Sequence, residues 1–162
     1  MAKFLLGLGS NLGNRMHNLN LAIGHLSEFF RIEMISSIYR SNALSLDNHP
    51  PEWKLEYLNL CLIGATDISP QQILKYIKRI EGMLGRDLGA PIWSPRTIDI
   101  DILMVDDIVL DTEDLTLPHP GFLIRDFALI PSKEIASDMM HPIALKQLKY
   151  CAHLIQTGCK KI

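Results

Sequence analysis

The chain has 162 residues, 48% of them hydrophobic, a formal net charge of −2 and three cysteines. A charge so small argues against nucleic acid or a membrane surface as a partner, and no apolar stretch is long enough to cross a bilayer. The odd number of cysteines, without metal-ligand spacing, favours reduced thiols, so we expect a single cytoplasmic domain over residues 1–162.

The first part of the chain predicts two strands with a helix between them. Residues 3–8 form a short apolar strand, and Asn14 can cap a helix whose apolar residues recur at helical spacing. Residues 32–39 alternate and are rich in β-branched side chains, which predicts a second strand. Residues 41–56 show no period and are expected to be irregular.

A third strand over residues 57–66 precedes a well-marked helix start. Ser69 can cap the helix, Pro70 suits its first position, and Gln72 is placed to complete a capping box. Gly85 is placed to end this helix, because glycine adopts the left-handed conformation that often follows a helix.

After an irregular stretch over residues 86–96, residues 97–105 predict a fourth strand, followed by a tight turn at Asp106 and Asp107. One or two helical segments are expected after Pro118. The element order is βαββαβ with a C-terminal extension.

That order matches the ferredoxin-like pattern, which is an α+β fold. We expect an antiparallel sheet with the strand order 4-1-3-2 and the helices on one face. In this topology the end of the first strand and the irregular segments 41–56 and 85–97 meet at one edge. Loops of this length in a small domain are usually functional or disordered, which makes this edge the candidate site.

Two carboxylates, Asp99 and Asp101, stand in the fourth strand. Residues i and i+2 point to the same face, roughly 6–7 Å apart, so these side chains are neighbours. Such a pair suits one or two hard divalent cations, which take oxygen ligands. The alternative is an ordinary solvated strand face, but Leu103 and Val105 are expected on that same face. The opposite face is expected to carry Ile98, Ile100, Ile102 and Met104.

Arg86 and Arg96 lie in the irregular segment before the pair. Guanidinium groups match phosphate geometry and stay charged, although a single loop arginine is more often a solvated surface residue. Trp93 is either an anchor packed on the core or a lid. His119 is either a phosphate contact or an ordinary loop residue, and Glu81 is either functional or a solvated helix residue paired with Lys78.

The segment GLGSNLGN at residues 7–14 is similar to a nucleotide-binding glycine loop. The dinucleotide fingerprint needs G-x-G-x-x-G, but Leu12 occupies the position of the third glycine. A tight strand-to-helix turn is therefore the preferred interpretation.

Several stretches occur together in the order and with the spacing of one known family. They are GLGSNLGNR at 7–15, YLN at 57–59, RIEGMLGR at 79–86, WSPRTIDIDIL at 93–103, LTLPHP at 115–120 and RDFAL at 125–129. The sequence resembles the 6-hydroxymethyl-7,8-dihydropterin pyrophosphokinases of folate synthesis, most specifically in W-x-P-R-T-x-D-x-D.

The resemblance implies transfer of pyrophosphate from ATP to the hydroxymethyl oxygen of the dihydropterin, with AMP as the other product. It also implies two Mg²⁺ ions held by Asp99 and Asp101, and a monomer without a nucleic-acid or membrane partner. Arg86 and Arg96 join the two aspartates as catalytic residues. The residues implied to bind ATP are Glu81, Arg86, Trp93, Arg96, Ile102, Thr116 and His119, and those implied to bind the pterin are Ser41, Leu44, Tyr57, Asn59 and Phe127.

The sequence departs from the family pattern mainly in the loop after the second strand. Where the family usually has Y-x-T-x-P-x-G, this chain has Tyr39, Ser41, Ala43 and Ser45. Ser94 replaces a glycine, and Leu88 stands where some members carry a second loop arginine. The phosphate machinery is therefore expected to be intact, while the pterin-facing loop differs. Arg125 matches a family arginine near the site.

Two other functional classes stay open. One is a non-catalytic ferredoxin-like metabolite-binding module, or an RNA-binding domain, but neither has a use for the aspartate pair. The other is a dinucleotide oxidoreductase, which needs the third glycine in register and an acidic residue after the second strand. The sequence has neither feature.

Overall fold

The computed structural model of the protein describes residues 1–44 and 47–162, so the departure at Ser45 lies outside the described residues. The strands are β1 (Ala2–Ser10), β2 (Arg31–Ile35), β3 (Tyr39–Ser41), β4 (Tyr57–Thr66), β5 (Asp99–Val105), β6 (Leu110–Asp111), β7 (Thr116–Leu117), β8 (Met140–His141), β9 (Lys146–Gln147) and β10 (Lys160–Lys161). The α-helices are α1 (Arg15–Leu26), α2 (Pro70–Met83) and α3 (Asp126–Ala136), and Pro51–Trp53 and Leu148–Tyr150 are short 3-10 turns.

The main sheet has six antiparallel strands in the order β10-β3-β4-β1-β5, and β2 also pairs with β4. This confirms the predicted order 4-1-3-2. The second predicted strand is in fact two strands. The ladder breaks at Ser36, whose hydroxyl accepts a hydrogen bond from Cys61 N at 2.9 Å in place of a main-chain acceptor.

The two faces of the sheet carry separate cores. Helices α1 and α2 of the βαββαβ unit pack on one face, as expected, over Phe4, Leu6, Leu8, Leu60, Leu62 and Ile100. Helix α3 of the C-terminal extension packs on the opposite face, over Leu5, Cys61, Ile63, Leu103 and Phe122. The extension therefore covers the face that the βαββαβ unit leaves open.

Strand β5 contains a bulge that the alternating pattern did not predict. Leu5 pairs with Met104 and Leu6 with Ile102, so Leu103 is the extra residue. Beyond the bulge the faces exchange: Val105 packs with α1 and α2, and Met104 packs with α3. The expectation that Met104 shares a face with the isoleucines, and Val105 with the aspartates, was therefore wrong.

Both helix starts follow the sequence signals. The side chain of Asn14 accepts a hydrogen bond from His17 N at 3.1 Å, and that of Ser69 accepts one from Gln72 N at 3.3 Å. The predicted helical segments after Pro118 are α3 and the 3-10 turn Leu148–Tyr150. No helix among the described residues has the length and apolar character to span a membrane.

The expected meeting of three segments at one edge is confirmed, and Asn11 connects them. This buried side chain follows β1 and donates a hydrogen bond to Leu55 O at 3.2 Å. It also accepts one from Arg96 N at 2.9 Å. One amide group thus joins the end of β1 to both long loops.

Two glycines with opposite surroundings give a test of the packing. Gly64 in β4 is buried, and an added Cβ would lie 3.0 Å from Phe30 Cβ. Gly64→Ala is therefore expected to destabilise the fold by about 1–3 kcal/mol through overpacking. Gly24 in α1 has open space around it, so Gly24→Ala should stabilise the helix by about 0.5–1 kcal/mol. Chemical denaturation measures the free energy of unfolding of both variants. Equal changes in the same direction would contradict this packing.

Candidate active site

A cavity of about 340 Å³ opens at the edge where the loops meet. It brings together most of the predicted site residues. These are Ser41, Leu44, Tyr57, Asn59, Glu81, Arg86, Trp93, Arg96, Asp99, Asp101, His119 and Phe127. The phosphate-type and pterin-type residues therefore line one continuous space.

Ile102 and Thr116 are not among the residues that line this cavity. The Ile102 side chain is 3% exposed and packs in the core beneath α1 and α2. Thr116 lies in the β6–β7 hairpin, and its hydroxyl donates to Asp111 at 3.2 Å. Neither residue lines this cavity, and their role in binding ATP stays a prediction.

The aspartate pair lies on the cavity face of β5, with side chains 29% exposed at Asp99 and 35% exposed at Asp101. Burial, followed by the charges of Asp99 and Glu81, raises the pKa of Asp101 to about 7. Burial and the two neighbouring carboxylates both disfavour the ionised form of Asp101 when no cation is bound. That electrostatic environment favours a cation at this position.

Arg86 holds two carboxylates at once. Its guanidinium donates to Glu81 Oε1 at 2.5 Å and to Asp99 Oδ1 at 2.8 Å. Arg96 Nη1 lies 3.4 Å from the same oxygen of Asp99. Burial opposes the charge of Arg86, but Asp99 and Glu81 outweigh it and raise its pKa. Both arginines therefore carry their charge at the cavity wall.

Glu81 is fully buried, which excludes its interpretation as a solvated helix residue. Its Oε1 accepts from Arg86 and also from Ile100 N, at 2.8 Å, while Lys78 Nζ lies 3.8 Å from Oε2. Burial raises the pKa of Glu81, and the Arg86 guanidinium opposes that rise. Glu81 thus links the end of α2 to the start of β5.

A turn at Gly85 brings Arg86 back to Glu81. Gly85 has a φ of +85°, and its N–H donates to Gly82 O at 3.1 Å. Arg86 N then donates to Glu81 O at 3.0 Å, which completes a Schellman motif. The glycine predicted to end the helix therefore also directs the arginine into the cavity.

His119 faces Asp101 as a neutral side chain. Burial and the charge of Arg125 lower its pKa, and its Nδ1 accepts a hydrogen bond from Gly121 N at 3.0 Å. The proton of the neutral ring must then be on Nε2, which lies 3.8 Å from Asp101 Oδ1. His119 can therefore donate to an acceptor in the cavity.

The other wall of the cavity is aromatic and amide-lined. Asn59 Nδ2 donates to Ser41 Oγ at 2.8 Å, which orients the Asn59 carbonyl and joins β4 to β3. Tyr57 and Phe127 lie on the same wall, and burial raises the pKa of Tyr57 to about 12. These groups suit a flat ring with hydrogen-bonding edges.

Arg125 lies between the two aromatic side chains Trp93 and Phe127. Its Cζ is 5.9 Å from the Trp93 ring centroid and 6.0 Å from that of Phe127. Gly121 leaves the necessary room, because an added Cβ would lie 2.6 Å from that Cζ. The loop residue Trp93, with a φ of +73°, is thereby held over the cavity.

The strand glycines Gly7 and Gly9 were missed as site residues. They lie within β1 rather than in a turn, and they pair with Asp101 and Asp99. A Cβ on Gly9 would lie 3.2 Å from the Asn59 Oδ1, so the missing side chains leave space for the cavity floor. The sequence signal was a pair of glycines two residues apart. The register of β1 against β5 places them opposite a pair of aspartates with the same spacing. Other lining residues that were not predicted include Asn42, Lys78 and Leu103.

Among the described residues, no group of three or more His, Cys, Asp or Glu side chains is placed to hold a metal ion. Asp99 and Asp101 are therefore the candidate ligands as a pair. Two carboxylates fit Mg²⁺, which usually keeps water and substrate phosphate oxygens as its remaining ligands.

The sequence matches the 7,8-dihydro-6-hydroxymethylpterin-pyrophosphokinase (HPPK) family over residues 5–137. It is 42% identical over 149 residues to the 2-amino-4-hydroxy-6-hydroxymethyldihydropteridine pyrophosphokinase of Aquifex aeolicus, covering 92% of this chain and 89% of that protein. The Haemophilus influenzae protein of the same name is 33% identical over 139 residues, covering 85% of this chain and 83% of that protein.

Longer proteins also match. The folate synthesis bifunctional protein of Chlamydia caviae is 45% identical over 130 residues, 79% of this chain but 29% of that protein. The crystal structure of Plasmodium falciparum HPPK-DHPS with pterin and p-hydrobenzoate superposes with a TM-score of 0.67 at 16% identity. It covers 91% of this chain and 43% of that one, and it supports the fold. From the family match and the close relatives, we conclude that the chain belongs to the HPPK family.

Proposed function

We propose that the protein transfers pyrophosphate from ATP to 6-hydroxymethyl-7,8-dihydropterin, giving AMP and the pterin diphosphate in folate biosynthesis. The observation that carries this proposal is one cavity with two unlike walls. One wall holds two carboxylates with Arg86 and Arg96, and the other holds Tyr57, Asn59 and Phe127. A triphosphate and a flat heterocycle can therefore bind side by side.

Asp99 and Asp101 would hold two Mg²⁺ ions, which supply charge stabilisation at the transferring phosphoryl oxygens. The neighbouring carboxylates Asp99 and Glu81 disfavour an ionised Asp101 without a cation, which supports this role. Asp99 also accepts from Arg86 and lies beside Arg96, so the same carboxylate orients both guanidinium groups. Asp99 would thus set the positions of both the cations and the two arginines.

Arg86 and Arg96 would donate to phosphate oxygens and stabilise the charge that develops on them. Glu81 is assigned to position Arg86, because its carboxylate is fully buried and contacts that guanidinium directly. His119 would donate through Nε2 as a neutral group. Trp93 would cover the triphosphate and help to exclude water, which favours transfer over hydrolysis of ATP.

The pterin would stack between Tyr57 and Phe127, with Asn59 at its edge and Ser41 and Leu44 beside it. The Asn59 amide donates to the Ser41 hydroxyl, so Ser41 would contribute to pterin binding by orienting Asn59. Ile102 and Thr116 retain an ATP role in this proposal.

Residues 1–162 are proposed to act as one cytoplasmic domain and as a monomer. The three cysteines are free, which fits reduced thiols in the cytoplasm. The non-catalytic metabolite-binding module is less well supported, because it leaves the arginine and aspartate wall without a purpose.

The products of the reaction test the proposal directly. With Mg²⁺, ATP consumption should depend on the hydroxymethyl-dihydropterin and release AMP in proportion to the pterin product. Chromatographic separation of the nucleotides makes this measurement. ADP formed in proportion to product would mean transfer of a single phosphoryl group and would contradict the assignment.

Asp101→Asn tests the metal ligands through the sign of its effect on stability. In metal-free protein, the Asp101 pKa of about 7 lies above its ordinary value of 3.8, so the folded state binds the proton more tightly. The parent therefore loses stability as the pH rises from about 4 to about 7, and the variant lacks this loss. In EDTA at about pH 8 the variant should melt at the same temperature or higher, while turnover with Mg²⁺ and ATP collapses.

The matched control is Asp107→Asn, a change at an exposed aspartate in the turn after β5. It should leave both melting and turnover at the parental level. If Asp101→Asn is clearly destabilised in EDTA and still turns over, the carboxylate is structural and the metal assignment fails.

A further inference from the structure

The C-terminal tail, defined as residues 151–162, lies outside the family match, which ends at residue 137. It nevertheless runs beside the start of α3. Leu154 N and Ile155 N both donate to Ile124 O, at 3.1 and 2.7 Å, and Asp126 N donates to Ile155 O at 3.1 Å. The tail is therefore attached next to Arg125 and Phe127, which line the cavity.

Asp126 is buried and binds the tail strongly. Its carboxylate accepts from Thr157 N and from Thr157 Oγ1, each at 2.7 Å, and from Cys159 N at 3.3 Å. It also accepts from Phe127 N at 2.8 Å. Hydrogen bonds to a carboxylate are roughly twice as strong as neutral ones, so this contact fixes the tail to the first turn of α3.

Thr157 also bonds to the chain on the opposite side of the cavity. Thr157 O accepts from Asn42 N at 2.8 Å, at the point where the chain leaves β3. The tail then continues as β10, in which Lys160 pairs with Arg40 and Lys161 with Tyr39. Thr157 is thus bonded to α3 by its N–H and hydroxyl and to the end of β3 by its carbonyl.

These two attachment points belong to the pterin side of the cavity. Ser41 and Asn42 line it from β3, and Phe127 lines it from α3. Cys151, at the start of the tail, bonds to Gln147, Leu148 and Lys133. Among the described residues, the hydrogen bonds of residues 152–162 go to β3, to α3 and to the segments next to these two elements, and none goes to β5 or to the loop over residues 84–98.

We propose that Thr157 and Asp126 are positioning residues for the pterin, and that the tail sets the separation between the Ser41 wall and the Phe127 wall. This inference rests on the proposed function. Neither residue is assigned contact with the substrate: each acts through Asn42 or Phe127. Loss of residues 157–162 should therefore weaken pterin binding. The bonds of Leu154 and Ile155 to Ile124, next to Arg125, remain, so the ATP side should be unchanged.

The test compares steady-state kinetics of the full chain with two variants. Thr157→Val removes the hydroxyl donor and keeps the main-chain bonds, and it should raise the KM for the pterin by about fivefold. Ending the chain at Gln156 removes the whole clamp and should raise that KM by roughly tenfold or more. The KM for ATP and kcat at saturating pterin should stay within about twofold of the parent.

Lys160→Ala is the matched control, because Lys160 is exposed and its main-chain pairing does not need the side chain. It should behave as the parent in every constant. If the shortened chain does not fold, Thr157→Val decides the question alone.

Two results would overturn the inference: a parental pterin KM in both variants, or a parallel rise in the KM for ATP, which indicates a merely structural tail. A parent chain that forms no pterin-dependent AMP would instead overturn the proposed function. An active parent with a parental pterin KM in both variants overturns only the inference about the tail.

Discussion

The site depends on a carboxylate that the fold has removed from water. Glu81 lies at the end of α2 with no exposed surface, and its charge is compensated by Arg86 and by the N–H of Ile100. Removing one partner of a buried ion pair typically costs about 3–5 kcal/mol, so the three groups are held in a fixed relation. Because Arg86 also contacts Asp99, this relation extends from the helix to strand β5.

The two walls of the cavity follow from the way the sheet is covered. Helices α1 and α2 cover one face completely, whereas α3 covers the other face and leaves its loop-bearing edge open. On that open part, Gly7 and Gly9 provide space, β5 provides the carboxylates, and β4 provides Tyr57 and Asn59. The proposed phosphate wall and the proposed pterin wall thus arise on neighbouring strands of one sheet. The tail adds a connection across the proposed pterin wall.

Features with a local cause were predictable from the sequence. The caps at Asn14 and Ser69, the turn at Gly85 and the aspartate pair are set by residues close to one another in the chain. The break at Ser36, the bulge at Leu103 and the burial of Glu81 are set by partners far along the chain, so no local pattern announces them. The role of the two strand glycines needed the register of β1 against β5, and Ile102 and Thr116 were assigned from resemblance without a side chain in the cavity.

The central claim is that Glu81 acts through Arg86, and a double-mutant cycle tests it most directly. Binding of a non-hydrolysable Mg²⁺-ATP analogue would be measured for the parent, Glu81→Gln, Arg86→Ala and the double variant. We predict that each single change weakens binding about tenfold or more, and that the double variant binds no more weakly than Arg86→Ala, a coupling of about 1.4 kcal/mol or more. Losses that simply add in the double variant would show that the two residues act independently and would contradict the account.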